Sequence, residues 1–341
     1  MAQGDDLGAT LPAAFTWDEY IAAWTKDHGG WTQLADALIR RAGDAVDIPQ
    51  DPQTVERGLR RLARRAHQSG GQYGRWMLRF FGLVSPVEEL VKWMGQLHTR
   101  FSDLPAGLRL EHLTLWNRPP VAESPASCWL QVGIAHVHAS RADAEACTQA
   151  LQRAERLASR AGAAAEIEVS LSRAQLETDA GDHAAAQARM QEIARRLQAE
   201  ALQPADDRAY RARLQHLRAL HHTRPLAGQA PDLRQAQALY ESIDEDPYVP
   251  FVSSRKAAGL AYCAWQLGDL AEAVRLAERA VEHAGDGGLV RMRVMALNML
   301  SRTLHGARAT SVNERAQRMA MLLEDEELRD RVAHCTPRPA A

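Results

Sequence analysis

The sequence predicts an all-α protein, and two observations support this fold class. Alanine, leucine, arginine, glutamate and glutamine dominate the chain, while β-branched residues rarely cluster. Helix starts are also well marked, because Asp51-Pro52 and Ser85-Pro86 each place a capping residue before a proline that suits the first helical turn. Thr16 has the spacing of a capping box with Glu19. We therefore expect helices throughout.

The bulk properties are those of a globular protein. The 341 residues are 46% hydrophobic and carry a formal net charge of -2, so any affinity for nucleic acid must come from a local patch. No apolar run approaches the roughly 20 residues that span a bilayer, and no secretory signal is visible at the N-terminus. Four scattered cysteines form no CxxC pair, namely Cys128, Cys147, Cys263 and Cys335. We expect a soluble, cytoplasmic protein with reduced thiols.

From about residue 124 onward the pattern predicts helices in pairs. In the clearest pair, residues 257–286, Gly268-Asp269 form a tight turn, and Ala273 and Ala280 are small residues that let two helices approach closely. This pair resembles a tetratricopeptide repeat, with Leu260 and Ala261 where that family has leucine and a small residue. Weaker pairs are predicted at 127–161, 163–200, 206–245 and 287–323, the last of them broken near Gly306 and restarted at Ser311. A further hairpin is expected before them, at 83–120, with Leu90 and Leu108 among the residues that line its helices. The resemblance implies a solenoid of helical hairpins that binds a protein or peptide.

In that family the first helix of each hairpin lines a concave groove. The resemblance therefore implies a partner groove that includes Arg255, Tyr262, Trp265 and Gln266. Trp265 has a second interpretation, since an aromatic residue at helical spacing is often core and could cap the neighbouring hairpin. Arg211 and Arg218 share another face, which is either a basic strip in the groove or solvated exterior.

The N-terminal region predicts three amphipathic helices, at about 17–25, 31–42 and 52–66. We expect their apolar faces to be buried, up to Ala66 at the end of the third helix. That helix carries arginines on its solvent face, namely Arg57, Arg61 and Arg64, with Arg60 and Arg65 flanking. Residues 31–80 contain nine arginines against five acidic residues, so this region is locally basic.

The order of these helices resembles a helix-turn-helix DNA-binding domain, as in peptide-sensing bacterial regulators with C-terminal repeats. Carried over, Gln53, Thr54 and Arg57 would face base edges, while Arg60, Arg61 and Arg64 would hold phosphates. Residues 43–51 form a longer connection than the family's usual short turn. Residues 69–76 are expected to be either a wing or a loop into a helix at 76–81. The segment from Trp31 also resembles death-fold adaptor domains, which keeps a protein-interaction domain as an alternative.

Residues typical of catalysis or metal binding do not form a recognisable constellation. Gly70, Gly71 and Gly74 lack the lysine, the hydroxyl residue and the strand of a phosphate-binding loop. His136 and His138 lie two apart, so on a helix they point in nearly opposite directions and do not readily share one ion. We therefore expect no enzyme, no cofactor and no metal site.

These observations predict five segments. They are a disordered tail (1–14), a helix-turn-helix-like domain (15–82), a capping hairpin (83–122), a degenerate repeat array (123–325) and a C-terminal tail (326–341). The favoured function is a transcriptional regulator whose array binds a protein or peptide and whose N-terminal domain contacts double-stranded DNA. The alternative is an adaptor that bridges proteins and does not bind DNA.

Overall fold

A computed structural model of the chain describes residues 14–100, 103–224, 230–245 and 250–334. These residues form α-helices joined by turns and short 3-10 segments and contain no β-strand, so the all-α prediction is confirmed. None of the described helices is both long enough and apolar enough to cross a membrane. The helices are α1 (Trp17–His28), α2 (Trp31–Ala42), α3 (Pro52–Ala63), α4 (Gly71–Phe80), α5 (Ser85–Arg100), α6 (Ala106–Trp116), α7 (Ser127–Ser140), α8 (Ala144–Ala161), α9 (Ala163–Ala180), α10 (His183–Ala199), α11 (Pro204–His222), α12 (Leu233–Glu241), α13 (Pro250–Gln266), α14 (Leu270–Asp286), α15 (Val290–Thr303), α16 (Gly306–Met321) and α17 (Glu326–Ala333).

The chain divides into two compact units. Unit 1 contains the described residues up to Gln96 together with Leu110–Leu130, and unit 2 contains Leu97–Arg109 and the described residues from Gln131 onward. The hairpin predicted at 83–122 is therefore shared between the units. Cys335 and residues 1–13 of the predicted N-terminal tail lie outside the described residues.

Unit 1 is organised around the buried ring of Trp17. Its indole nitrogen donates a hydrogen bond to the carbonyl oxygen of Gln68 over 3.0 Å, and its ring packs directly on the backbone of Gly70 and Gly74. This contact explains a difference from the sequence prediction, because α4 begins at Gly71 and leaves no wing in 69–76. The third predicted helix also ends early, at Ala63, and Ala66 is exposed in a left-handed turn with φ of 48°.

The start of α1 and the start of α3 have the predicted caps. Thr16 accepts a hydrogen bond from the backbone of Glu19, whose side chain bonds back to the backbone of Thr16. Asp51 caps α3 ahead of Pro52. A hydrogen-bonding side chain at these positions satisfies backbone N–H groups that the first helical turn leaves without partners.

In unit 2 the predicted tight turn between α13 and α14 is present. Gly268 has φ of 88°, a left-handed conformation that favours glycine. The next residue, Asp269, caps α14 by accepting a hydrogen bond from the backbone of Glu272. The same pair of roles recurs at Gly181 and Asp182 between α9 and α10. The same turn conformation and the same helix cap therefore occur at two places in unit 2.

Small residues lie where helices of unit 2 approach closely. Ala273 and Ala280 of α14 are fully buried. Gly259 of α13 faces the ring of Tyr240 from α12, and a Cβ atom there would overlap that ring. Helix α11 packs against α9 and α13 as well as against its neighbours in sequence, and α13 packs against α15. Alternate helices therefore form a continuous row along unit 2.

Three sequence expectations differ from the structure. Residues 326–333, expected to belong to a tail, form α17, in which Leu328 and Val332 are buried. Helix α16 runs unbroken from Gly306, so Ser311 lies inside it and does not restart it. Leu90 and Leu108, expected to line a hairpin, are 38% and 41% exposed. Spacing alone does not show which of several neighbouring apolar side chains finds a partner.

The close approach at Gly259 generates a testable prediction. Gly259→Ala lowers the free energy of unfolding by about 1–3 kcal/mol, because the added methyl group displaces the buried ring of Tyr240. Gly285→Ala in α14 is the matched control, since its Cβ would lie 3.6 Å from its nearest neighbour, the Arg293 side chain. The control stabilises or is neutral, because alanine favours a helix over glycine. Urea denaturation measures both; equal effects would contradict the close approach.

Candidate functional site

A cavity of about 520 Å³ lies within unit 2. Its walls come from α7, α9, α11, α13, α15 and α17, with contributions from the end of α5 and from Tyr240 of α12. The cavity is thus bounded mainly by the row of alternate helices. This volume is in the range that accommodates small organic ligands or short chain segments.

Arginines dominate the polar lining of the cavity. They are Arg100, Arg213, Arg224, Arg255, Arg291, Arg302 and Arg331. Four carboxylates pair with five of these seven arginines. Asp179 and Glu327 belong to the lining, whereas Glu168 and Asp325 lie outside it. Counted over the described residues, the cavity therefore holds an excess of three positive charges when its histidines are neutral.

The most deeply buried ion pairs share the carboxylate of Glu168. Its side chain is fully buried and pairs with Arg100 over 3.1 Å and with Arg213, whose side chains are only 10% and 8% exposed. Burial alone would raise the pKa of Glu168, but the two guanidinium groups lower it to about 2. Glu168 is therefore ionised at neutral pH and compensates two arginines that would otherwise be buried without an anion.

Further arginines of the lining are also paired. Arg224 contacts Asp179 over 2.6 Å. Arg291 contacts the buried carboxylate of Asp325 over 2.8 Å. Arg331 pairs with Glu327 over 2.5 Å. These pairs neutralise the charges of Arg224, Arg291 and Arg331.

Arg255 and Arg302 differ from the other five. Among the described residues, no carboxylate lies within ion-pairing distance of either one. Arg255 lies over the ring of Phe251, 5.9 Å from its centroid, and Arg302 lies at the same distance over Trp265. Burial and the charges of Arg213 and Arg291 lower the pKa of Arg255. An arginine stays charged at neutral pH even so, and like the charge of Arg302 this charge has no carboxylate partner among the described residues.

The two histidines of the lining are neutral. Burial, followed by the charge of Arg213, lowers the pKa of His136 to about 3. Burial, followed by the charge of Arg255, lowers the pKa of His216 to about 3. His136 bonds to the hydroxyl of Ser172 over 3.1 Å, while His138 contacts Asp143 over 3.4 Å. The two histidines of the sequence motif therefore have separate partners.

The apolar part of the lining comes from Leu171 and Leu176 of α9, from α11 and from one face of α15. Met292, Met295 and Met299 follow each other at spacings of three and four residues and all face the cavity. Leu217 and Leu220 of α11 are also part of the lining. Thioether side chains are flexible and polarisable, so this wall adapts to apolar ligands of different shape.

Only some of the predicted groove residues line the cavity. Arg255 and Tyr262 line the cavity. Trp265 does not, although it contacts Tyr262 with ring centroids 5.9 Å apart, and Gln266 is exposed at the end of α13. Arg211 is exposed and pairs with Asp207.

The residues of α11 that line the cavity differ from the predicted ones. Arg218 and Arg211 lie outside the cavity lining, and the cavity instead receives Arg213 and His216 from the same helix. Sequence reasoning missed Arg213, and it missed Glu168 of α9. One signal was available, because Glu168 stands between Ile167 and Val169 in a segment that is mostly apolar or small, and a buried carboxylate requires a cationic partner.

The predicted DNA-contacting residues of α3 lie in unit 1. Gln53, Arg57, Arg60, Arg61 and Arg64 are exposed, and Thr54 is half-buried. Thr54 donates a hydrogen bond to Asp51 over 2.6 Å and accepts one from Arg57 over 3.0 Å. Its hydroxyl is therefore part of the helix cap.

Arg60 also has partners within unit 1. It pairs with Glu56 over 2.8 Å and lies over the ring of Trp31, 4.3 Å from the centroid. Within the part of the chain that the structure describes, Arg61 donates only to a backbone carbonyl of its own helix. Arg57, Arg61 and Arg64 are thus the more available cations of this face.

Comparison with known proteins gives little independent information. No family model matches the sequence. Valine–tRNA ligases of two Mycobacterium tuberculosis strains, CDC 1551 / Oshkosh and ATCC 25618 / H37Rv, are each 32% identical to it over 105 residues. That stretch is 31% of this chain, and the chain spans only about 10% of the length of these relatives. A match of this extent establishes no family.

The buried carboxylate generates the second prediction. Glu168→Gln lowers the free energy of unfolding by about 3 kcal/mol, because Arg100 and Arg213 lose their shared anion. Glu155→Gln is the matched control, since Glu155 pairs with Arg173 on the surface and its loss costs less than about 1 kcal/mol. Urea denaturation at pH 7 distinguishes the two, and similar losses would contradict the assigned burial.

The same variant has a pH signature. The pKa of Glu168 is lower in the folded state than its usual value, so the unfolded state binds more protons between about pH 4.5 and 2. The stabilisation by Glu168 is therefore present above this window and is lost as the pH falls through it. The stability difference between wild type and Glu168→Gln narrows over the same window.

Proposed function

We propose that the protein is a non-catalytic regulator. In this proposal unit 2 is a tetratricopeptide-like array that binds an anionic segment of a protein or peptide, and unit 1 contacts double-stranded DNA. The observation that carries the proposal is the arginine-lined cavity of unit 2, in which Arg255 and Arg302 have no carboxylate partner among the described residues. A ligand that supplies an anion there replaces repulsion with charge-assisted hydrogen bonds.

The repeat interpretation is supported by the walls of the cavity. They come mainly from the first helix of each predicted hairpin, as the resemblance implies for a partner groove. The recurring glycine and aspartate at the turns add to this support. A row of helices offers extended surface, and such surfaces serve recognition.

The DNA half of the proposal is supported by charge and exposure in unit 1. All nine arginines of residues 31–80 are exposed, and Arg57, Arg61 and Arg64 have no carboxylate within ion-pairing distance among the described residues. Exposed, uncompensated arginines on one helix suit contact with phosphates. In the alternative, the same surface binds an acidic protein and the molecule is an adaptor.

A cytoplasmic location is part of the proposal. The thiols of Cys147 and Cys263 are buried in unit 2. Burial raises the pKa of both, that of Cys263 to about 11, so they stay protonated and unreactive. Buried thiols of this kind are typical of proteins in a reducing compartment.

The DNA half predicts a salt-dependent interaction. The wild-type protein shifts duplex DNA at low salt, and the double variant Arg61→Gln, Arg64→Gln binds more weakly with a logarithmic salt slope reduced by about 2, because each phosphate contact contributes about 1. Arg315→Gln, Arg318→Gln is the matched control, since it removes two exposed arginines at the same spacing from α16. A failure to bind any duplex at low salt would remove the DNA half and favour the adaptor.

The ligand half predicts stabilisation by an acidic peptide. Hexaglutamate raises the Tm of the full chain and hexalysine does not, because only the former supplies anions to the cavity. The double variant Arg255→Met, Arg302→Met loses the response, whereas Arg315→Met, Arg318→Met retains it. Differential scanning calorimetry measures both. Equal responses to the two peptides would show that the cavity is not an anion site.

A further inference from the structure

The charge distribution of the cavity locates an anchor for its ligand. Arg255 projects into the lining from the middle of α13, and the charged groups that act on it most strongly are Arg213 and Arg291. Those two arginines already have carboxylate partners, Glu168 and Asp325, whereas Arg255 has none among the described residues. An anion that enters the cavity therefore gains most at Arg255.

A guanidinium group also restricts the chemistry of that anion. Its planar fork of N–H donors matches the paired oxygens of a carboxylate or a phosphate and binds them through two parallel hydrogen bonds. The neighbouring Arg302 adds a second uncompensated cation to the lining. The polar end of the ligand is thus an oxyanion, and a halide or an uncharged polar group fits less well.

The apolar wall restricts the rest of the ligand. Met292, Met295 and Met299 form a ridge along α15, and Leu217 and Leu220 of α11 are also in the lining. A small, fully hydrated anion would leave this apolar surface without a partner. A ligand with an apolar body buries this surface, and the burial of apolar surface favours binding.

We infer that the cavity of unit 2 binds an amphipathic oxyanion, with its carboxylate or phosphate on Arg255 and its apolar body against the methionine ridge of α15. This inference rests on the proposed function of unit 2 and narrows its ligand. The same chemistry occurs in a free organic acid and in a peptide segment that has an acidic group beside aliphatic side chains. The volume of about 520 Å³ is sufficient for either one.

Isothermal titration calorimetry with the full chain tests the inference. Octanoate and octyl phosphate, below their micelle-forming concentrations, bind at least tenfold more tightly than acetate and inorganic phosphate, which lack the apolar body. Octanol and octylammonium, which lack the anion, bind at least tenfold more weakly than octanoate. Binding of octanoate has a negative heat-capacity change, because apolar surface is buried. An acetylated leucine–aspartate dipeptide amide tests the peptide source, and whichever of it and octanoate binds more tightly identifies the source.

Variants test the assigned roles. Arg255→Met lowers octanoate affinity at least tenfold, and Arg255→Lys restores part of it, because lysine keeps the charge without the planar fork. Arg318→Met removes an exposed arginine of α16 and leaves the affinity unchanged. Arg255→Met folds normally, since it breaks no ion pair among the described residues; an unchanged Tm and circular dichroism spectrum verify this.

The outcomes separate the inference from the proposed function. Equal affinity for acetate and octanoate, or for octanol and octanoate, overturns the amphipathic ligand. An unchanged affinity in Arg255→Met overturns the anchor. If hexaglutamate stabilises the protein and neither the octyl compounds nor the leucine–aspartate dipeptide binds, the inference fails and the proposed function stands. If hexaglutamate and every small anion fail, the ligand half of the proposed function fails as well.

Discussion

The buried ion-pair triad of Arg100, Glu168 and Arg213 is the interaction on which unit 2 depends. Glu168 is fully buried, so its charge is stable there only because two guanidinium groups replace the water that it loses. The triad joins α5, α9 and α11 at the cavity wall. Residues 103–109, which follow the end of α5, are also held at the other end of unit 2, where Asp103 accepts a hydrogen bond from the backbone of Arg291.

The remaining charge of the cavity follows from this arrangement. One carboxylate serves two arginines, and further carboxylates pair with Arg224, which follows α11, and with Arg291 and Arg331. Arg255 lies between these groups without an anion of its own, and the nearby His216 stays neutral because it is buried beside cations. Positive potential is thus concentrated next to an apolar methionine wall, and this combination distinguishes the cavity from an ordinary solvated helix face.

Packing of small residues determines where these groups lie. Gly259 lets the ring of Tyr240 rest on the backbone of α13, which brings α12 close to the face that carries Arg255 and Tyr262. Fully buried Ala273 and Ala280 let α14 approach its neighbours in the same way. In unit 1 the same principle applies to Trp17, whose ring covers Gly70 and Gly74 and holds the start of α4. The glycine-rich segment around Gly70 is therefore a packing surface for an indole ring.

The sequence by itself determined the all-α class, the caps at Thr16 and Asp51 and the turn at Gly268, because each depends on residues adjacent in the chain. The resemblance to a tetratricopeptide repeat also implied that Arg255 and Tyr262 belong to one groove, and both residues line the cavity. Only the tertiary structure decided that Arg213 of α11, and not Arg211 or Arg218, enters the cavity, and that Glu168 compensates it. Packing likewise decided that residues 326–333 form the helix α17 and that Ala66 is exposed. The physical reason is that local backbone hydrogen bonds are specified within a few residues, whereas burial and charge pairing depend on partners that lie tens of residues away.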